Sequence, residues 1–211
     1  MSKKIIITGG LGYIGTELCK LYSGVSWHHK ITVIDNRFIS ERVNQIRNWN
    51  MQFIQGDILD KNLIKKNFED ADVVHHLAGI TDVPRTKNES SELQDEKIKE
   101  VGEKGTQNIL DVISDNCKII FPSTHVVYEG INEIKTDINE NEITKPILSY
   151  ASSKSVNEDQ LKKSNKNFVI LRLGSVYGYS TDSMRIDIMP NLFSKIASQN
   201  GTLKLFAGGR Q

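Results

Sequence analysis

Apolar and polar positions along the chain fall into short β-branched runs separated by longer stretches of helical period. The first run is residues 5–7, and later runs at 31–34, 51–55, 72–77, 118–121 and 168–173 predict five further strands. Helices are predicted over 61–68, 90–114, 150–163 and 189–198, with a brief last strand at 203–206. Strands that alternate with helices in this way predict an α/β fold with a doubly wound parallel sheet. In such a sheet the ligand lies beyond the carboxyl ends of the strands.

A glycine-rich turn follows the first strand, and an acid ends the second. Gly9 permits a sharp turn, Gly12 lets the backbone approach a pyrophosphate, and Gly15 lets the next helix pack closely. The phosphates would bind the free amides at the N-terminus of that helix. Asp35 comes twenty residues after Gly15, where an acid accepts hydrogen bonds from an adenosine ribose. The pattern predicts a dinucleotide site that favours NAD over NADP.

A tyrosine and a lysine start the helix that follows the fifth strand. Tyr150 and Lys154 are four residues apart and therefore share one helix face. A phenol is a weak base at pH 7, but a nearby ammonium and a cationic nicotinamide both favour the phenolate. Thr124 lies after the fifth strand, at the same edge of the sheet. We expect Tyr150 to take a hydroxyl proton while a hydride leaves the same carbon, with Thr124 bonding the alcohol or relaying the proton.

Composition excludes several other classes of function. The 211 residues include 27 basic and 26 acidic side chains, so no global field attracts nucleic acid or an anionic membrane. No long apolar segment or signal peptide is visible, which predicts a cytoplasmic protein. Cys19 and Cys117 are interpreted as reduced, buried thiols, and His75 and His76 as core residues of a strand. No histidine has a metal-ligand spacing, so no metal site is expected.

Small or acidic residues follow two other predicted strands. Asp57 comes after the third strand, and it is interpreted either as the N-cap of helix 61–68 or as a contact for an adenine ring. Ala78 and Gly79 close the fourth strand, where small residues let the backbone pass a cofactor.

Taken in order, these motifs resemble the extended short-chain dehydrogenase/reductase family, in particular its NDP-sugar epimerase and dehydratase branch. The resemblance implies a Rossmann sheet and a catalytic set of Thr124, Tyr150 and Lys154, with Thr124 and Ser175 near the substrate. It also implies the residues that hold NAD: Gly9, Gly12, Tyr13, Ile14, Gly15, Asp35, Asn36, Asp57, Ile58, Leu77, Ala78, Gly79, Tyr150 and Lys154.

Departures from the family pattern narrow the expected reaction. Dehydratases of the family usually have an Asp-Glu pair directly after the catalytic threonine, and related decarboxylases commonly have a glutamate at the second place. Here these positions are His125 and Val126, whereas epimerisation needs no extra acid. Gly102 and Ser175 each replace a usual asparagine. The resemblance thus implies an NAD-dependent NDP-sugar epimerase. A noncatalytic dinucleotide sensor or scaffold stays open, as do dehydratase, decarboxylase and reductase activities.

The resemblance also divides the chain in two. Residues 1–174 are expected to be the NAD-binding domain and 175–211 the start of the substrate-binding part, because the family continues beyond the position of Gln211. With the substrate lobe largely missing, we expect a chain that holds NAD but turns over nucleotide sugars slowly or not at all. An apolar edge exposed in place of the lobe would favour self-association, for example as a homodimer, or another partner.

Overall fold

A computed structural model of the chain describes residues 2–81, 89–180 and 184–205. Within these ranges six strands form one parallel sheet in the order β3-β2-β1-β4-β5-β6. The strands are β1 (Lys4–Thr8), β2 (Lys30–Asp35), β3 (Gln52–Gln55), β4 (Val73–His76), β5 (Lys118–Thr124) and β6 (Asn167–Leu173). The order reverses between β1 and β4, which is the switch point where doubly wound sheets bind ligands. The predicted α/β fold with a doubly wound parallel sheet is confirmed.

Helices cover both faces of this sheet. They are α1 (Tyr13–Ser23), α2 (Ser40–Asn48), α3 (Lys61–Phe68), α4 (Glu92–Lys99), α5 (Gly105–Leu110), α6 (Ser149–Lys163) and α7 (Met189–Ser198). Successive β1 side chains point to opposite faces. Ile5 and Ile7 pack with the buried residues of α1 and α2, whereas Ile6 packs with those of α3, α5 and α6. No helix in the described ranges is long and apolar enough to span a membrane.

The long helix predicted over 90–114 is interrupted. A π-helix (Glu100–Lys104) separates α4 from α5. Gly102 lies at its centre, and its carbonyl accepts a hydrogen bond from Asn157 Nδ2 at 3.1 Å. The interruption therefore depends on a partner in α6, more than fifty residues further along the chain.

Three strand and cap predictions also need correction. β5 extends past residue 121 to Thr124. Its Pro122 is tolerated because β4 pairs with β5 only as far as Ile120. The N-cap of α3 is Asp60, whose carboxylate accepts from the N–H groups of Asn62 and Leu63, so Asp57 is not the cap. Residues 203–205 form no strand, and Phe206 lies outside the described residues.

Candidate active site

The turn between β1 and α1 has no room for a side chain at Gly9 or Gly15 and is less crowded at Gly12. Gly9 has φ +67°, and a Cβ there would lie 2.7 Å from the Ala78 nitrogen. A Cβ on Gly15 would lie 2.3 Å from the Gly9 oxygen, so the close packing that this glycine allows is between α1 and the turn itself. Gly12 is the extended N-cap of α1, where a Cβ would come no closer than 3.2 Å to the Gly9 oxygen. The turn is therefore less crowded at Gly12 than at Gly9 or Gly15, and we call this side the phosphate cradle because the phosphates of a dinucleotide are expected there.

Asp35 lies buried at the end of β2, beside this turn. Its Oδ2 accepts from the Leu11 N–H at 3.0 Å, and its Oδ1 accepts from the N–H and Nε of Arg37 at 3.0 and 3.2 Å. Asn36 donates from Nδ2 to Asp57 Oδ2 at 3.3 Å. The three polar residues predicted to hold the adenosine half are therefore neighbours at the ends of β2 and β3.

The apolar members of the predicted cofactor set occupy different surroundings. Ile14 is partly exposed at the start of α1, and Leu77 follows β4 with its N–H donating to the Thr8 carbonyl at 3.2 Å. Tyr13 donates its hydroxyl to the Gly178 carbonyl, which connects α1 to the segment after β6. The side chain of Ile58 is buried in the core, so only its main chain is available to an adenine ring.

A pocket at the carboxyl ends of β4 and β5 brings four predicted residues together: Ala78, Gly79, Tyr150 and Lys154. Tyr150, Ser153, Lys154 and Asn157 of α6 all face it, because positions i, i+3, i+4 and i+7 share one helix face. The other lining residues are Ile80, Ile98, Gly102, Thr106 and Phe121. A Cβ on Gly79 would meet nothing within 4 Å, which leaves open space where the cofactor was expected to pass.

Lys154 is partly buried at the base of this pocket. Its Nζ donates to the Pro122 carbonyl at 2.8 Å and lies 4.4 Å from the centroid of the Phe121 ring. Burial lowers the pKa of Lys154 to about 8. The side chain is therefore close to its titration point near neutral pH, which suits a group that exchanges protons.

The pKa of Tyr150 differs from the prediction. Burial raises it above the ordinary value, and the charge of Arg185 opposes this shift. The predicted lowering by Lys154 is absent because the ammonium is directed at Pro122, with its Nζ 5.9 Å from the centroid of the Tyr150 ring. Without a bound cation the phenol is thus protonated at neutral pH.

The two predicted substrate residues lie apart from the pocket lining. Thr124 is the buried last residue of β5, and its Oγ1 accepts from the Val126 N–H at 3.3 Å, so the hydroxyl proton points elsewhere. Ser175 is exposed after β6, and it makes no hydrogen bond within the described part of the chain.

A buried polar chain behind the pocket was not predicted. Ala78 donates its N–H to Thr8 Oγ1 at 3.1 Å, Thr8 pairs with His76 Nδ1 at 3.0 Å, and His76 Nε2 pairs with Thr106 Oγ1 at 3.0 Å. Burial, with a smaller effect of the Lys154 charge, lowers the pKa of His76 to about 3, so the ring is neutral. His76 is the core residue that the sequence predicted, and it also fixes the backbone at Ala78.

A second unpredicted network joins α6 to β5 and β6. The buried Glu158 carboxylate accepts from Arg172 Nη2 and Nε at 2.6 and 2.9 Å, and from Ser123 Oγ at 2.6 Å. Burial acts to raise the pKa of Glu158, but the hydrogen bonds from Arg172 and Ser123 outweigh it and hold the pKa below its ordinary value. The sequence contained a signal for this network, because Glu158 follows Lys154 by four residues and so lies on the same face of the predicted helix.

Three known proteins resemble this chain over almost its whole length. A putative UDP-glucose 4-epimerase of Methanocaldococcus jannaschii is 31% identical, with 98% of this chain and 67% of that protein covered. A UDP-N-acetyl-alpha-D-glucosaminuronate decarboxylase of Bacillus cytotoxicus is 30% identical, with 100% and 66% covered. The crystal structure of UDP-glucuronic acid 4-epimerase from Bacillus cereus, in complex with UDP-glucuronic acid and NAD, superposes with a TM-score of 0.77. It is 28% identical, with 99% and 67% covered.

These comparisons agree with the geometry of the sheet, the glycine turn and the pocket. The chain spans about two thirds of the length of each of the three proteins. Residues 5–211 match the family described as the NAD dependent epimerase/dehydratase family. The chain belongs to this NAD-dependent epimerase/dehydratase family.

Proposed function

We propose that this chain binds NAD and contributes the catalytic half of a nucleotide-sugar 4-epimerase-like enzyme. The observation that carries the proposal is the pocket in which Tyr150 and Lys154 face Ala78 and Gly79. The open cradle at Gly12 and the space above Gly79 fit a dinucleotide that extends across the switch point of the sheet. The relatives named above, two of them epimerases, support the same reading.

Tyr150 and Lys154 in the pocket and Thr124 at the end of β5 each have a separate task in the proposed reaction. When bound, NAD supplies a hydride acceptor and a positive charge. With that charge favouring the phenolate, Tyr150 takes the proton of a sugar hydroxyl, and the Lys154 ammonium, directed at the Pro122 carbonyl, adds a more distant positive charge. Thr124, whose Oγ1 already accepts a hydrogen bond, uses its own proton to orient the sugar oxygen. The keto sugar turns over and takes the hydride back on its other face, so there is no net redox change.

Epimerisation is favoured over dehydration and decarboxylation because the described lining of the pocket contains no acidic side chain. Among the described residues none that lines the pocket is a carboxylate, and the two positions after Thr124 are His125 and Val126. Removing water requires an additional acid and base, whereas inversion through a keto sugar uses the same phenol in both directions. Sugar contacts beyond this pocket are expected from the part of the relatives that has no counterpart in these 211 residues.

The test is turnover of UDP-, GDP- and dTDP-sugars in the presence of NAD, with Tyr150→Phe as the control. We expect slow formation of a 4-epimer by the chain alone. Because a phenylalanine cannot accept the proton, the variant should be slower by roughly 10²-fold to 10⁴-fold while binding NAD normally. Dehydrated or decarboxylated products would contradict the proposal. NAD binding with no turnover in the chain or in a longer form of it would favour the noncatalytic sensor.

Exposed side chains on and after the edge strand β6 are the basis for expecting association with another chain. Leu171 in this strand and Tyr177 and Tyr179 after it are exposed apolar or aromatic side chains. A patch of this kind favours association, so self-association as a homodimer stays part of the proposal. Sedimentation of the chain over a range of concentrations would measure it, and a monomer at every concentration would remove it.

A further inference from the structure

Arg37 stands two residues after Asp35 and pairs with it. The Asp35 side chain is 4% exposed and that of Arg37 is 55% exposed. Arg37 Nε lies 3.2 Å from Asp35 Oδ1. A half-exposed arginine therefore covers the carboxylate that is expected to receive the adenosine ribose.

The hydrogen bonds on Asp35 leave too few acceptor sites for a ribose. An ionised carboxylate offers about four lone-pair sites. Leu11 N–H takes one site on Oδ2, and Arg37 N–H and Nε both bond Oδ1. The two vicinal hydroxyls of a ribose need two sites, and only one remains. Two of the present donors belong to the main chain, so the side chain of Arg37 is the donor that a ribose can displace.

The other end of the guanidinium already lies at the phosphate cradle. Arg37 Nη2 is 3.9 Å from the point that a Cβ on Gly12 would occupy. Neither Nη atom makes a hydrogen bond to any described residue. A guanidinium presents its donors as a planar fork, and this fork matches two oxygens of a phosphate. A short movement away from Asp35 would therefore give Arg37 a new partner at Gly12.

We propose that Arg37 is a phosphate ligand of the dinucleotide site, released from Asp35 when the ribose binds. The inference rests on the proposed binding of NAD. The phosphate at Gly12 is the pyrophosphate, which NAD, NADP and ADP-ribose share. The 2′-phosphate of NADP is the other phosphate within the same chemistry, and the ligands of the test distinguish the two.

The experiment is calorimetric titration of the whole chain and its variants with NAD, ADP-ribose and NADP. Arg37→Ala removes the fork, and Arg37→Lys keeps the charge without the fork. Arg47→Ala removes the same charge from an exposed site near the end of α2. We expect Arg37→Ala to weaken both NAD and ADP-ribose by about tenfold, since a charged hydrogen bond is lost. Arg37→Lys should recover part of the affinity, and Arg47→Ala should match the unaltered chain.

Each result decides between the readings. A loss confined to NADP would assign Arg37 to the 2′-phosphate and keep it as a phosphate ligand. Equal affinities in Arg37→Ala and Arg47→Ala would overturn the proposal, and tighter binding in Arg37→Ala would show that the arginine only blocks Asp35. If the unaltered chain bound neither NAD nor ADP-ribose, the proposed function would fail as well.

Discussion

Gly12 and Gly15 belong to one turn but have different neighbours. A Cβ on Gly12 meets one oxygen at 3.2 Å and its backbone is extended, whereas a Cβ on Gly15 would be 2.3 Å from the Gly9 oxygen. We therefore expect Gly12→Val to abolish NAD binding while the fold persists, because the side chain would fill the phosphate cradle. Gly15→Val should disrupt the turn. Calorimetry with circular dichroism measures both effects, and NAD binding by a folded Gly12→Val would contradict the cradle.

Lys154 makes the stability of the protein depend on pH. Burial lowers its pKa from 10.5 to about 8, so the unfolded chain binds more protons between these two values. The free energy of unfolding should therefore rise with pH over this window, relative to Lys154→Met, by about 3 kcal/mol in total. Denaturant unfolding of both proteins at pH 8 and pH 10.5 gives the difference. If the difference in the free energy of unfolding between the two proteins were the same at pH 8 and at pH 10.5, Lys154 would not be desolvated.

At the scale of elements, the ion pair between Glu158 and Arg172 holds α6 against β6. Glu158 lies on α6 with Tyr150 and Lys154, and Arg172 lies on β6 with its Nη2 2.6 Å from Glu158 Oε2. Arg172→Met would leave the buried carboxylate with the Ser123 hydrogen bond at 2.6 Å and the longer Lys162 contact at 3.5 Å, and without its buried cationic partner. We expect a loss of about 3 kcal/mol in the free energy of unfolding.

A double variant separates the pair from simple packing. Replacing both partners by apolar side chains, as in Glu158→Met with Arg172→Met, removes the unpaired charge and should recover most of the loss. Urea unfolding of the two single variants and the double variant completes the cycle. If the double variant were as unstable as the sum of the singles, the two side chains would not be coupled.

The helix predicted over residues 90–114 is interrupted at Glu100–Lys104, which the sequence pattern did not indicate. Apolar periodicity predicted one helix over 90–114, since Ile98, Val101 and Ile109 keep a common face. The π-helix instead places Gly102 against α6, where a Cβ on this residue would lie 2.4 Å from Ser153 Oγ. Local pattern cannot report a contact between positions fifty residues apart.

On the scale of the whole molecule, the two proposed activities use different parts of the chain. The proposed dinucleotide contacts lie between β1 and α6, within the sheet that the structure describes. The described residues from Ser175 onward provide α7, and none of them lines the pocket, while the chain spans two thirds of its relatives. This division is the physical reason to expect cofactor binding without rapid turnover of sugar.

The sequence alone determined the parallel sheet, the glycine turn, the position of Asp35 at the end of β2 and the common helix face of Tyr150 and Lys154. Each of these depends on short-range spacing, in which β-branched runs, glycines and a helical repeat act locally. Only the tertiary structure decided the raised pKa of Tyr150, the Glu158–Arg172 network and the position of Arg37 over Gly12. Burial and long-range pairing produce these features, because desolvation and hydrogen-bond partners depend on which distant segments pack together.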